Sequence, residues 1–225
     1  MPVDDSYTKV LLHMDGADAS TTFTDESGKA WTRAGAAQID TAQSVFGGAS
    51  GLFTAAADYI TTGDSADWDF STGAYTIDFR VRFTGLVNAR LFSSNNTYGH
   101  LLTFTTAGGI TYEVGKNGAA WLSTITVADG HIATGAWYHI AVVRESTVAN
   151  ATKIYIDGTN HGQGTYGDGS ADAQTTGLCI AQIGWGGVSA LNGWIDEFRL
   201  SKGIARWTAN FTPQIFPYSA GGQVI

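Results

Sequence analysis

The sequence predicts an all-β protein built as a two-sheet β-sandwich. Three observations carry this. Short apolar or alternating runs recur about every ten to fifteen residues, with turn-forming residues between them. No segment sustains a helical period. Asp157-Gly158 closes a pair of strand-like runs at 137–144 and 153–156. Asp-Gly is a hairpin signal because Gly takes positive φ without steric cost and Asp tolerates it.

The expected strands follow in order. The first is 10–14, with a short run at 22–24. Runs at 37–40, 51–54 and 59–62 come next. The clearest alternation is 75–83, where Tyr75, Ile77, Phe79, Val81 and Phe83 share one face. Thr76, Asp78, Arg80 and Arg82 line the other, which reads as a solvated or functional face. Then come 90–92, 101–105, 110–114 and 120–127. The run 137–144 is largely apolar on both faces, so it is expected to be covered on both. After 153–156, runs at 178–183 and 193–200 complete the set. Short turns are expected at 65–68 and 202–207, and 158–177 reads as one long irregular loop.

The chain has 225 residues, suited to a single large sandwich, with a core over about 7–213 and a tail at 214–225. The end of that tail, from Tyr218, is expected to be flexible unless a partner orders it. Apolar residues are 44 % and charged residues only 14 %, so much of the surface is neutral and polar. That suits packing against neighbours or facing sugars, and equally a sandwich with neither role. Net charge is −8 with no basic run, which removes the footprint of nucleic-acid binding. Cys179 is the only cysteine, so no internal disulfide forms, and its apolar setting reads as core. The opening MPVDDSYTK is neither a signal peptide nor a membrane segment, so neither secretion nor membrane insertion is expected. The sequons at Asn95, Asn150 and Asn210 are read as chance.

The motifs WYHIAVVRES, TKIYIDG and GWIDEFRLSKGIARW resemble the C-terminal half of laminin G-like, or concanavalin A-like, jelly-roll domains. LLHMDG, FTDESG, FGGASGLF, DYITTGDSADWDF and YTIDFRVRF occur in that family's order, so the resemblance covers about 7–213. It implies two large sheets, one concave, with long loops at the rim. The opening LLHMDGADASTTFTDESG, with AQIDTAQSVFGGAS after it, is similar to a subset found in tailed-phage virion proteins. That resemblance implies a non-catalytic module on the virion surface, a capsid decoration or a tail or fibre accessory. Its expected partners are phage capsid or tail proteins, host-surface glycans and further copies of itself. A free-standing lectin is the alternative, and a glycan-active enzyme the weakest reading.

The resemblance also implies one structural Ca²⁺, held by Asp196 of GWIDEFRL, Asp15 of LLHMDG and the carbonyl of Gly51. Strict alternation places Asp196 with Trp194 and Phe198, and Glu197 opposite. An ionised Asp beside two aromatics needs a cation, an Arg or hydrogen-bond donors, so a purely structural Asp196 is the other reading. The loop with Asp168 and Asp172 lacks the EF-hand order of ligands. Glycosidases need two carboxylates about 5–10 Å apart across the scissile bond. No paired pattern exists among the four Glu residues, and Asp78 is expected to pair with Arg80 or Arg82. For sugar binding, Trp185 between glycines is the stacking candidate, with Asn192, Asn160 and His161 as polar partners. Trp121 and Tyr112 are alternatives, whereas Trp121, Trp137 and Trp194 read better as core.

Overall fold

The computed structural model describes residues 5–94, 99–116, 120–166, 177–182 and 191–219. Its strands are β1 (Thr8–Leu12), β2 (Trp31–Ala34), β3 (Gln38–Asp40), β4 (Ser50–Phe53), β5 (Tyr59–Thr62) and β6 (Tyr75–Phe83). They continue with β7 (Ala89–Ser94), β8 (His100–Phe104), β9 (Ile110–Lys116), β10 (Ala120–Val127) and β11 (Trp137–Arg144). The last are β12 (Thr152–Ile156), β13 (Thr159–Gly164), β14 (Leu178–Ile180) and β15 (Gly193–Lys202). A 3-10 turn, Ala66–Trp68, is capped by Ser65, whose side chain accepts from the Asp67 N–H.

Two antiparallel sheets result. The eight-stranded sheet runs β13-β12-β11-β6-β15-β4-β3, with β1 also on β15. The seven-stranded sheet runs β10-β9-β8-β7-β14-β5-β2. The alternating face of β6 points inward as expected, and all five of its aromatic and aliphatic side chains are fully buried. Phe79 stacks on Phe198 within one sheet, Phe198 meets Phe92 from the other, and Phe83 meets Phe104, at ring-centroid separations of 4.9–5.9 Å. These rings interdigitate between the layers and hold them together.

Two strands escape the sequence reading for one reason. β2 and β13 are the outermost strands of their sheets. An edge strand in contact with water on one side needs no apolar alternation, and β13 reads simply Thr-Asn-His-Gly-Gln-Gly. The expected loop at 158–177 therefore begins as a strand. The short run at 22–24 is not a strand, and only Asp25 beside it makes a bridge, to Leu12.

The first half of the other face of β6 is not solvated, whereas Arg80 and Arg82 stay partly exposed. Thr76 and Asp78 are wholly buried, because residues 204–218 cross the outside of the eight-stranded sheet as a strap. Ala141, Val143 and Tyr155 on the sheet pack against Ala205, Trp207 and Phe211. Trp207 and Phe211 stack with centroids 4.0 Å apart. The Asp157-Gly158 turn has positive φ at both residues, 47° and 78°, as the hairpin signal requires. Gly158 also receives the strap: the Phe211 N–H donates to its carbonyl at 2.9 Å. Ordered packing reaches past 213. Tyr218 is only 8 % exposed, its N–H donates to Glu197 and its hydroxyl donates to Asp78.

Under the strap lies a buried ionic cluster. Asp78 pairs with Arg199 of β15, not with Arg80 or Arg82 on its own strand. Neighbours two apart on a strand point the same way side by side, whereas Arg199 stands directly opposite Asp78 in the ladder. His139 lies 3.5 Å from the same carboxylate and 3.1 Å from the Tyr218 hydroxyl. The Arg199 guanidinium sits 3.7 Å from the centre of the Tyr218 ring. Burial opposes ionisation of Asp78, but the charges of Arg199 and His139 hold its carboxyl well below the usual range.

Candidate functional site

The β12–β13 hairpin places Asn160 and His161 on the edge strand β13, where the sequence reading expected loop residues beside Trp185. They line a shallow surface concavity of about 220 Å³ with Gly162 and Gln163. The Asn160 backbone N–H donates to the Asn210 side chain at 2.9 Å, and its amide donates to Gln163 Oε1 at 3.2 Å. The Gly162 N–H returns to Asn160 Oδ1 at 3.2 Å, which fixes the amide's orientation. Gly162 is required where β13 passes β10: a Cβ there would stand 3.0 Å from Val127 and 3.2 Å from the Thr126 carbonyl.

His131, from the loop between β10 and β11, completes the site. Its ring lies 4.2 Å from that of His161, tilted by 52°. Both residues are exposed, and neither ring has a hydrogen-bond partner among the described residues. Burial and then the neighbouring His131 push His161 below the usual imidazole value, while Asp157 pulls the other way. Sequence reasoning passed over His131, because only the fold brings residues 30 positions apart into ring contact.

The other sugar-site candidates do not join this group. Asn192 precedes β15 and binds at the opposite side of the sheet centre, its Oδ1 accepting from Thr84 at 2.7 Å. Three strands separate β13 from β15, about 19 Å at the usual spacing. Trp185 lies outside the described residues, as do Asp168, Asp172 and the side chain of Trp121. Tyr112 is fully buried in the core, where its hydroxyl bonds Tyr75 at 2.8 Å and His100 at 2.6 Å. Trp137 and Trp194 are half-buried on the outward face of the eight-stranded sheet, not core. The Trp194 indole N–H reaches Asp40 at 2.8 Å, which gives the ring a reason to lie there.

Asp196 is wholly buried, but a bulge in β15 changes its neighbours. Glu197 and Phe198 together oppose the single position Phe79 on β6, and Glu197 takes φ +53°. Phe198 thereby turns into the core, while Asp196 and Glu197 stay close enough to repel each other. One oxygen of Asp196 accepts the Val45 and Phe46 N–H groups at 2.7 and 3.2 Å. The other, Oδ1, has no partner. Burial first, with Glu197 and Asp15 adding, pushes its carboxyl up to about 7 against the two loop N–H groups. Asp15 accepts from Ala49 on the same loop and fills the space above Gly47. Glu197 accepts from His13 Nδ1 at 2.7 Å when that nitrogen carries the proton.

An unshared buried carboxylate oxygen beside a second carboxylate is the donor set a hard cation takes. Gly51 sits in the middle of β4, paired to Ile39 and Ile195, so its carbonyl lies in the sheet plane. Among the described residues no three His, Cys, Asp or Glu side chains are grouped to hold a metal. A calcium ion on Asp196 and Asp15 would therefore draw most of its six to eight oxygens from backbone and water.

The remaining buried carboxylates are engaged in turns. Asp25 accepts from the Leu11 N–H, Ser27 and the Trp31 indole. Asp58 accepts from the N–H groups of Ala36, Thr54 and Ala55, which outweigh its burial and hold its pKa down.

Two stacked antiparallel sheets with this strand order and a shallow polar rim site define a jelly-roll sandwich of the lectin class. The chain belongs to the concanavalin A-like lectin/glucanases superfamily, whose profile matches residues 54–206. No curated protein sequence matches it. Among solved structures it is similar to botulinum neurotoxin type C, whose penetration of cells depends on interaction with two ganglioside molecules. That match has TM-score 0.66 and 15 % identity over 89 % of this chain and 49 % of the other. The binding domain of botulinum neurotoxin DC in complex with rat synaptotagmin II gives 0.66 and 14 %, over 89 % and 49 %. Domain 4 of AbnA, an extracellular arabinanase from Geobacillus stearothermophilus, in complex with arabinotriose, gives 0.61 and 20 %, over 88 % and 93 %. The chain spans about half the length of the neurotoxin chains.

Proposed function

We propose that the protein is a non-catalytic glycan-binding module whose site is the concavity on β13. The observation that carries this is the convergence of Asn160, His161 and Gln163 around a hollow of about 220 Å³. Drug-sized ligands occupy about 300–1,000 Å³, so this hollow has room for about one sugar ring. Amide and imidazole groups match the hydroxyls of a sugar, and such sites tolerate bridging water. The engagement of Asp25, Asp58 and Asp78 in turns and ion pairs favours binding over hydrolysis. Similar folds described with gangliosides and arabinotriose support the same reading. A glycan array tests it. His161→Ala should lose binding without a change in melting temperature, and Trp185→Ala tests the tryptophan that the sequence singles out. An array with no bound glycan removes the proposal.

Calcium belongs to the same reading as a structural ion on Asp196 and Asp15. When bound, it would neutralise the unshared Asp196 oxygen and pin the loop carrying Val45, Phe46 and Ala49.

A second reading is attachment to a capsid or tail protein on the virion surface of a tailed phage. One observation favours it: Ile215 and Phe216 on the strap are 74 % and 64 % exposed, an adjacent apolar pair. The protein should co-purify with particles, and the Ile215→Ser, Phe216→Ser double variant should not.

A further inference from the structure

We propose that the His131–His161 pair makes the β13 concavity a site for carboxylated sugars, with binding that strengthens as the pH falls. This rests on the glycan-binding reading and names its ligand class. The two imidazoles meet at 4.2 Å, tilted by 52° and both exposed, with their ring nitrogens unclaimed by other described residues. The other lining side chains, Asn160 and Gln163, are neutral amides. Among the described residues His161 is thus the lining group that can become positively charged, and His131 stands against it from the neighbouring loop.

A neutral imidazole offers one donor and one acceptor, a surface suited to hydroxyls. Two rings this close cannot both be protonated without repulsion, so the pair takes up its first proton alone. A carboxylate bound at the edges of both rings accepts a charge-assisted hydrogen bond and relieves that repulsion. Two acidic residues also face this region. Asp157, on the β12–β13 turn, already accepts the His139 N–H at 2.8 Å. Asp129, two residues before His131, accepts the Thr105 hydroxyl at 2.7 Å. Neither carboxylate makes a hydrogen bond to either imidazole, which leaves the pair open to a ligand. Their charge opposes an anionic sugar, and a proton taken up by the imidazoles offsets it.

The test is a set of binding isotherms at about pH 7.5 and about pH 5.5, either side of the ordinary imidazole range. The probes are trigalacturonate and sialyllactose, with methyl-esterified trigalacturonate and lactose as neutral counterparts. The two acids separate a uronate from a sialate source of the carboxyl group. The expected result is that affinity for at least one acid rises about fivefold or more on acidification, while its neutral counterpart stays flat. The ratio of acid to neutral affinity should lose its pH dependence in His131→Gln and in His161→Gln. Imidazole proton shifts in the unaltered protein, followed by NMR during the titration, report the same contact without a variant. Neutral sugars that bind while acids gain nothing at low pH overturn this inference and leave the glycan reading standing. Failure of every sugar at both pH values overturns both.

Discussion

Asp78 and Arg199 face each other across β6 and β15 as a two-pronged ion pair, with Nε to Oδ1 and Nη2 to Oδ2 both at 3.1 Å. Asp78 has no solvent exposure and Arg199 only 5 %. The pair lies on the outward face of its sheet, yet the strap of residues 204–218 makes it an interior feature. His139, Tyr218 and Trp207 enclose it.

Removal of one partner should be costly. A buried charge left alone loses its compensation, so Arg199→Met is expected to destabilise by about 3–5 kcal/mol in urea unfolding. The double variant Asp78→Leu, Arg199→Met should cost less than the single one, because no orphan charge remains. A single-variant loss under about 1 kcal/mol would show that the pair behaves like an exposed one.

Acid should weaken the fold through two groups in succession. Burial lowers His139 below its usual 6.5, so the unfolded state binds the proton more readily. Its contribution to stability is present above about pH 6.5 and declines as the pH falls below that value. Asp78, held well below 3.8, keeps its contribution above that value and loses it in stronger acid. His13, raised by its hydrogen bond to Glu197, has the opposite slope near neutrality. The readout is therefore the difference between the protein and His139→Gln: the variant should lose less stability between about pH 6.5 and about pH 5. Parallel stability–pH curves would exclude His139 as a source.

Tyr218 should prove to be a structural residue and not part of a loose tail. Its hydroxyl serves Asp78 and its ring lies on Arg199. Tyr218→Phe removes a hydrogen bond to a charged group, worth about 1.5–3 kcal/mol. Truncation before Trp207 should additionally expose Ala141, Val143 and Tyr155, seen as increased binding of an apolar dye. Unchanged dye binding would mean that the strap covers nothing.

Gly158→Ala should be among the most damaging small substitutions. A Cβ at this position would stand 1.8 Å from the Phe211 carbonyl, and φ is +78°. Either the hairpin turn or the strap must shift, at a cost of at least about 1–3 kcal/mol. Gly130→Ala is the control for the conformation alone, since φ there is +90° with open space around it. Equal losses in thermal melts of the two variants would argue against the collision.

A calcium ion on Asp196 and Asp15 should show itself on removal. Chelator is expected to lower the melting temperature by about 5–10 °C if the ion is bound well above its dissociation constant. Asp196→Asn should abolish that response. An unchanged melt together with no calcium by elemental analysis removes the site.

The periodicity of 75–83, the two-sided apolar run 137–144 and the Asp157-Gly158 turn determined the class of fold on their own. Side-chain alternation and positive φ are local properties, written residue by residue. Asn160 and His161 were legible as polar candidates but not as strand residues, because the edge strand that carries them shows no apolar alternation. Other relations were set only by the tertiary structure. The bulge at Glu197 turned Phe198 inward and left Asp196 with an unshared oxygen, against strict alternation. The strap buried part of a face that reads as solvated and tied down Tyr218, and the β6–β15 ladder chose Arg199 over Arg80 and Arg82. His131 met His161 only because the loop after β10 returns to the edge strand. Edge strands, bulges and long-range partners have no local pattern: their energy comes from which surfaces meet, and that is fixed when the two sheets and the strap close on one another.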